Sequence, residues 1–114
     1  MKQVINRSDW TQDPERWHGE IQLGAYGANV SVIFFDRDEP GGGPRLHSHP
    51  YPETFIIRSG RALFTLGDQE ILAEAGQILL VPPNTPHKFT NAGPGPLQTI
   101  DIHENGRFIT EWLE

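Results

Sequence analysis

The sequence predicts an all-β fold, a small sandwich or barrel, on two observations. Short runs rich in Val, Ile, Leu and Phe recur along the chain at nearly regular spacing, the pattern of strands that pack face to face. Twelve glycines and ten prolines fall in clusters between those runs and not in one low-complexity tract, which implies short elements joined by frequent turns. At 114 residues the chain can bury one core and is too short for two, so residues 1–114 are expected to form one domain with hardly any helix.

The first element, Asp13 to Gly19, reads as a helical turn: Asp13 can cap its start, Pro14 has φ preset for the first position, and Gly19 ends it. Strands are expected at residues 21–23, 30–35, 54–57, 62–66, 71–73, 78–81, 87–90 and 97–102. Gly67-Asp68, between ALFTL and QEIL, reads as a hairpin turn because glycine reaches positive φ without a Cβ clash. Glu74 to Gly76 and Asn91 to Pro96 turn the chain again. The tail GRFITEWLE is open to two readings, since Phe108, Ile109 and Trp112 share a helical face whereas Phe108, Thr110 and Trp112 share a strand face.

Phe55-Ile56-Ile57 and Ile78 to Val81 are apolar on both faces. A strand buried on both sides needs a second covering layer, from a terminal segment or from a second subunit, and a homodimer through packed sheets is the expected assembly. Trp10, Trp17 and Trp112 lie near the termini and are expected to cap the barrel or an interface.

Nine basic against fifteen acidic residues give a net charge of -6, which disfavours nucleic acid and anionic membrane as partners. With no cysteine, disulfides, thiolate metal sites and thiol nucleophiles are excluded. No segment approaches the ~20 apolar residues of a membrane span or resembles a signal peptide, so a soluble cytoplasmic protein is expected, with a small molecule as ligand.

The chemistry concentrates in HSHPYPE, residues 47–53. In an extended strand residues i and i+2 point to one face, so His47 and His49 project side by side while Ser48 points away. Pro50 and Pro52 restrict the backbone between them and Glu53 and favour returning the carboxylate to the same spot. Neutral imidazole and carboxylate suit a divalent transition metal, with iron, manganese, nickel, zinc, copper and cobalt all candidates.

The wider stretch GGGPRLHSHPYPETFIIRSG fits GxxxxxHxHxxxExxxxxxG from Gly41 to Gly60, and GQILLVPPNTPHKFTN fits GxxxxxPxxxxHxxxN from Gly76 to Asn91. These paired patterns resemble the two motifs of the cupin superfamily, and the 15 residues Arg61 to Ala75 between them match its short spacings. The resemblance implies a conical β-barrel with one metal near its mouth, held by His47, His49 and Glu53 of the first motif and His87 of the second. Asn84 stands where such proteins commonly have glycine, and asparagine tolerates the left-handed backbone that the turn needs.

Three imidazoles and one carboxylate leave one or two coordination positions open, unlike a closed structural zinc. Gln77, Asn91 and backbone carbonyls are candidates to hold the far ring nitrogens. His18 is expected at the surface, and His103, alternating with Asp101 and Thr99 opposite Ile100 and Ile102, on a solvent-facing strand surface. The resemblance leaves the reaction open: a metal-dependent dioxygenase on a small organic molecule is favoured because the sequence shows no acid/base pair beside the metal. A non-catalytic binding or sensing domain and a sugar isomerase or epimerase are the alternatives.

Overall fold

The computed structural model describes residues 2–114. Its strands are β1 (Gly19–Gln22), β2 (Ser31–Arg37), β3 (His47–Ser48), β4 (Glu53–Ser59), β5 (Arg61–Leu66), β6 (Gln69–Glu74), β7 (Ile78–Val81), β8 (His87–Asn91), β9 (Leu97–His103) and β10 (Glu111–Trp112). They form two antiparallel five-stranded sheets, in the orders β1-β2-β9-β4-β7 and β10-β3-β8-β5-β6. All eight expected strands are present, displaced by a residue or two at their ends, and Gly67-Asp68 joins β5 to β6 with Leu66 paired to Gln69.

The helical turn expected at Asp13 to Gly19 is absent. Asp13 Oδ1 accepts the Glu15 N–H at 3.0 Å and Arg16 N–H closes a β-turn on the Asp13 carbonyl, so the capping group is spent on an isolated turn. Ion pairs then draw Arg16 away to Asp36 and Asp38. The helix that does form, α1 (Arg7–Trp10), lies upstream, where Asn6 N–H donates to Asp9 Oδ2 at 2.8 Å, a reciprocal cap.

The inward residues of the two sheets grade from hydrocarbon to polar along the barrel. At one end Phe55, Ile57, Phe64, Phe89, Leu97, Leu79 and Val81 are buried together, with Phe64 edge-on to Phe55 at 4.9 Å and Phe89 close to both. Burying each such side chain is worth roughly 1.5–3 kcal/mol. Towards the other end the same strands turn inward His87 on β8, Glu53 on β4, and Thr99, Asp101 and His103 on β9, all buried. The hydrophobic end holds the sheets together, and the polar end is thereby set as a rigid mouth.

Two backbone positions shape that mouth. Gly43 has φ +93°, and a Cβ there would lie 1.9 Å from the Phe89 carbonyl oxygen, so only glycine lets the segment before β3 lie against β8. Asn84 adopts φ 60°, as expected of it, and its N–H donates to the His49 carbonyl at 2.7 Å. That bond ties the turn before β8 to the histidine segment.

The outer face of the first sheet is apolar. Ile78 and Leu80 of β7 are 63% and 68% exposed, beside Ile56 and Thr54 of β4 and, beyond them, Ile100 and Ile102 of β9. The N-terminal segment covers only the far side of this face: Trp10 stacks on Phe34 at 3.7 Å and Trp17 meets it edge-on at 5.1 Å. Trp112 instead lies at the mouth. Among the described residues no helix is long and apolar enough to cross a membrane.

Candidate metal centre

His47 and His87 face one another across the β3–β8 pair, with ring centroids 4.3 Å apart. His49 follows one pleat along, and Glu53 enters from the first residue of β4 after the Pro50–Pro52 bend. Ligand atoms of these four residues all lie within 4.8 Å of one another, and all four side chains are buried. Glu53 Oε1 is 3.2 Å from His49 Nε2 and 3.0 Å from His87 Nε2. Neighbouring ligands on an ion at about 2.1 Å stand about 3.0 Å apart at right angles, so these separations suit one common centre.

The far ring nitrogens decide which way each imidazole faces. Nδ1–H of His47 donates to the Arg45 carbonyl at 2.6 Å, that of His49 to Ile109 at 2.8 Å, and that of His87 to Thr85 at 2.8 Å. A carbonyl can only accept, so all three rings carry hydrogen on Nδ1 and turn a lone pair on Nε2 inward. Backbone carbonyls thus fill the role, whereas Gln77 accepts from Glu74 N–H and Asn91 Nδ2 donates to the carbonyls of Arg37, Glu39 and Gly95. Nε2 of His49 is buried without a hydrogen-bond partner. Inward lone pairs facing an acceptor-only carboxylate require a proton or a cation between them, and the donor set fits a divalent transition metal.

His103 is a correction to the sequence reading. It is 2% exposed and not on a solvent face: Nε2 lies 3.0 Å from Glu53 Oε2, the oxygen turned away from His49 and His87, and Nδ1 lies 2.7 Å from the Tyr51 hydroxyl. Ile109 N–H donates to that hydroxyl, leaving its own hydrogen for His103 Nδ1. The ring then carries its hydrogen on Nε2, beside the carboxylate, the opposite tautomer to the other three. Like His49 Nε2, His103 Nε2 makes no hydrogen bond; Tyr51 fixes the His103 ring beside Glu53 Oε2. His18 is exposed as expected, 3.9 Å from Asp36.

Charge follows from this geometry. Burial disfavours the Glu53 anion; a proton shared with the facing nitrogens of His103, His49 and His87 outweighs burial and holds the carboxyl below the usual carboxylate range. Burial, with the neighbouring His87 and His49, lowers His47 to about 4 against the opposing pull of the Arg45 carbonyl. Asp101 goes the other way, raised first by burial and then by the Glu53 charge.

A cavity of about 440 Å³ is lined by His47, His49 and Glu53, three of the four residues of the group, and its volume is within the range of small-molecule sites. Its walls include Ile33, Phe35, Phe55, Phe89, Phe108 and Trp112. The tail thus takes the strand reading: Phe108, Thr110 and Trp112 line the cavity, and Trp112 pairs with His47. Asp101 and His103 line it too, placing acid/base groups beside the centre where the sequence reading saw none.

A family model described as a cupin domain matches residues 34–103. An uncharacterized protein of Methanocaldococcus jannaschii is 38% identical over 56 residues, 48% of this chain, and the match spans only 45% of that relative's length. Similar solved structures include the oxalate decarboxylase of Bacillus subtilis with its Mn(II) centres, at TM-score 0.75 and 22% identity over 83% of this chain and 27% of that one. Another is an uncharacterized protein with a double-stranded β-helix domain from Klebsiella pneumoniae subsp. pneumoniae, at TM-score 0.75 and 18% identity over 100% and 99%. At these identities the structural likeness is one of fold.

Two outcomes follow from the geometry. His49→Ala should leave the purified protein nearly metal-free by elemental analysis, whereas His103→Ala should keep metal with affinity weakened about 10–100-fold, read by chelator competition; equal loss in both would make His103 a ligand. For pH, an unfolded chain protonates His47 near pH 6.5, the folded ring only near pH 4. Acid therefore favours unfolding across that window, while Glu53 adds a loss at lower pH and Asp101 acts oppositely, costing stability as pH rises above the ordinary carboxylate range. Because Asp101 works against His47 over the same window, the His47 contribution is read as a difference: from pH 6.5 to 4 the urea midpoint of metal-free wild type should fall relative to that of His47→Gln, and parallel profiles would refute the neutral buried ring.

Proposed function

The chain belongs to the cupin domain family, and from that premise we propose that it is a metal-dependent enzyme acting on a small organic molecule, with oxygenase-type chemistry as the preferred reaction class. Nε2 of His47, His49 and His87 and Oε1 of Glu53 hold one divalent transition metal. The observation that carries the reading is the cavity that reaches His47, His49 and Glu53, three members of the four-residue group. A bound ion would supply Lewis-acid activation or one-electron chemistry at its open positions.

The side chains of the protein do the rest. Tyr51 holds the His103 ring beside Glu53, and the ring of Phe35, Phe55, Phe89, Phe108 and Trp112 excludes water and presses a flat apolar molecule towards the centre. A sugar would leave hydroxyls against these rings without partners, at a cost per group of about 1–3 kcal/mol. That argues against an isomerase of sugars even though Asp101 and His103 could move protons. A dianionic substrate such as oxalate is also unsupported, since no lysine or arginine among the described residues lines the cavity. A non-catalytic binding or sensing role uses the same centre and is the second reading.

The exposed Ile78 and Leu80, continuous with Ile56 and the outer isoleucines of β9, support a homodimer through this face, in keeping with the covering layer that two-sided apolar strands need.

Purified protein should contain about one divalent transition ion per chain and run as a dimer by light scattering. With that ion it should consume oxygen in the presence of catechols or diketones. Metal without turnover of any of them would favour the binding role, absence of metal after soaking would remove the metal reading, and a monomer unchanged by Leu80→Glu would remove the dimer.

A further inference from the structure

Asp101 is a buried carboxyl that the four-residue centre leaves unused. It sits in the middle of β9, directly opposite Phe55 on one side and Ile33 on the other, is 3% exposed and lines the cavity. The Thr99 hydroxyl donates to its Oδ1 at 2.6 Å. The other ionisable carboxyls on the cavity wall are Glu53, one diagonal step away across the sheet at about 7 Å between Cβ atoms, and Glu20 on β1; the remaining titratable groups there are His47, His49 and His103. An anion at Asp101 would face hydrocarbon on two sides, with no lysine or arginine on the wall to pair with it.

Resting on the metal-site reading above, we propose that Asp101 donates a hydrogen bond, from the carboxyl oxygen that Thr99 leaves free, to an oxygen of the molecule docked on the metal, and so selects its ligand. The class selected is a small flat molecule, largely apolar, that binds the ion through oxygen at one end and carries an uncharged acceptor oxygen about one ring further along. A second carboxylate at that end is disfavoured by Glu53 and Glu20. Burial between Phe55 and Ile33, the larger cause, keeps the Asp101 carboxyl protonated, which is what makes it a donor; it acts as a specificity group and performs no chemistry.

Manganese-loaded protein, its ion content measured first, is titrated calorimetrically with methyl 3,4-dihydroxybenzoate and with 4-ethylcatechol, which share the metal-binding end and differ in the acceptor carbonyl. Wild type should prefer the ester about five- to tenfold more than Asp101→Leu does, the effect of one hydrogen bond, the comparison between proteins cancelling the greater acidity of the ester's catechol. Asp101→Asn, a neutral isostere that still donates, should keep the wild-type ratio, and Asp101→Leu should lose that factor while retaining manganese. The same ratio of affinities in manganese-containing wild type and Asp101→Leu would overturn the inference and leave the metal reading intact. Wild type that takes up no manganese or other divalent ion would overturn both. Should Asp101→Leu fail to fold, infrared spectra of wild type and Asp101→Asn decide: a protonated-carboxyl C=O band at neutral pH, absent in Asp101→Asn, is expected, and its absence from wild type would refute the donor.

Discussion

Three backbone carbonyls, those of Arg45, Thr85 and Ile109, set the character of the polar end of this barrel. Each accepts the Nδ1–H of one histidine, and a ring so held has only one way to face. The outcome is three Nε2 lone pairs and a carboxylate in one buried space, an arrangement that repels itself unless a proton or cation sits among them. A protein stabilised for its own sake would not assemble such a group; burying polar atoms without partners costs stability, and the aromatic core at the opposite end supplies the compensating burial.

The same constraint links fold to site. Arg45 and Thr85 lie two residues before the histidines they hold, so their carbonyls come with the local backbone. Ile109 belongs to the C-terminal tail, which reaches the barrel through the pairing of Trp112 with His47 and of Glu111 with Ser48. The tail thereby orients His49, supplies Phe108, Thr110 and Trp112 to the cavity wall, and gives Tyr51 its N–H partner. Docking the tail on β3 also completes the centre.

Much of this was legible in the sequence. Near-regular apolar runs and Gly/Pro punctuation marked the strands, and the i, i+2 histidines with Glu53, joined to His87 by motif spacing, marked the four residues that converge. What stayed hidden has a common physical origin. On β9, Thr99, Asp101 and His103 alternate with Ile100 and Ile102, a pattern that ordinarily means polar side out; here the polar face lines a cavity and the isoleucines form an apolar outer face, so inside and outside are exchanged. The tail could be read as helix or strand because its partner, His47, lies far away in sequence. At the N-terminus Asp13-Pro14 suits a β-turn as well as a helix start, and the helix forms instead at the Asn6 and Asp9 cap.

The tautomers of the four buried histidines test the central claim most directly, by nitrogen-15 NMR of imidazole-labelled, metal-free protein at neutral pH. His47 and His49 should carry hydrogen on Nδ1 with Nε2 bare or sharing a proton with Glu53, His87 should show Nδ1–H likewise, and His103 should stand apart with hydrogen on Nε2. Hydrogen on Nε2 and a bare Nδ1 in His47, His49 and His87 would mean that the carbonyls do not hold these rings, and the centre as described would not exist.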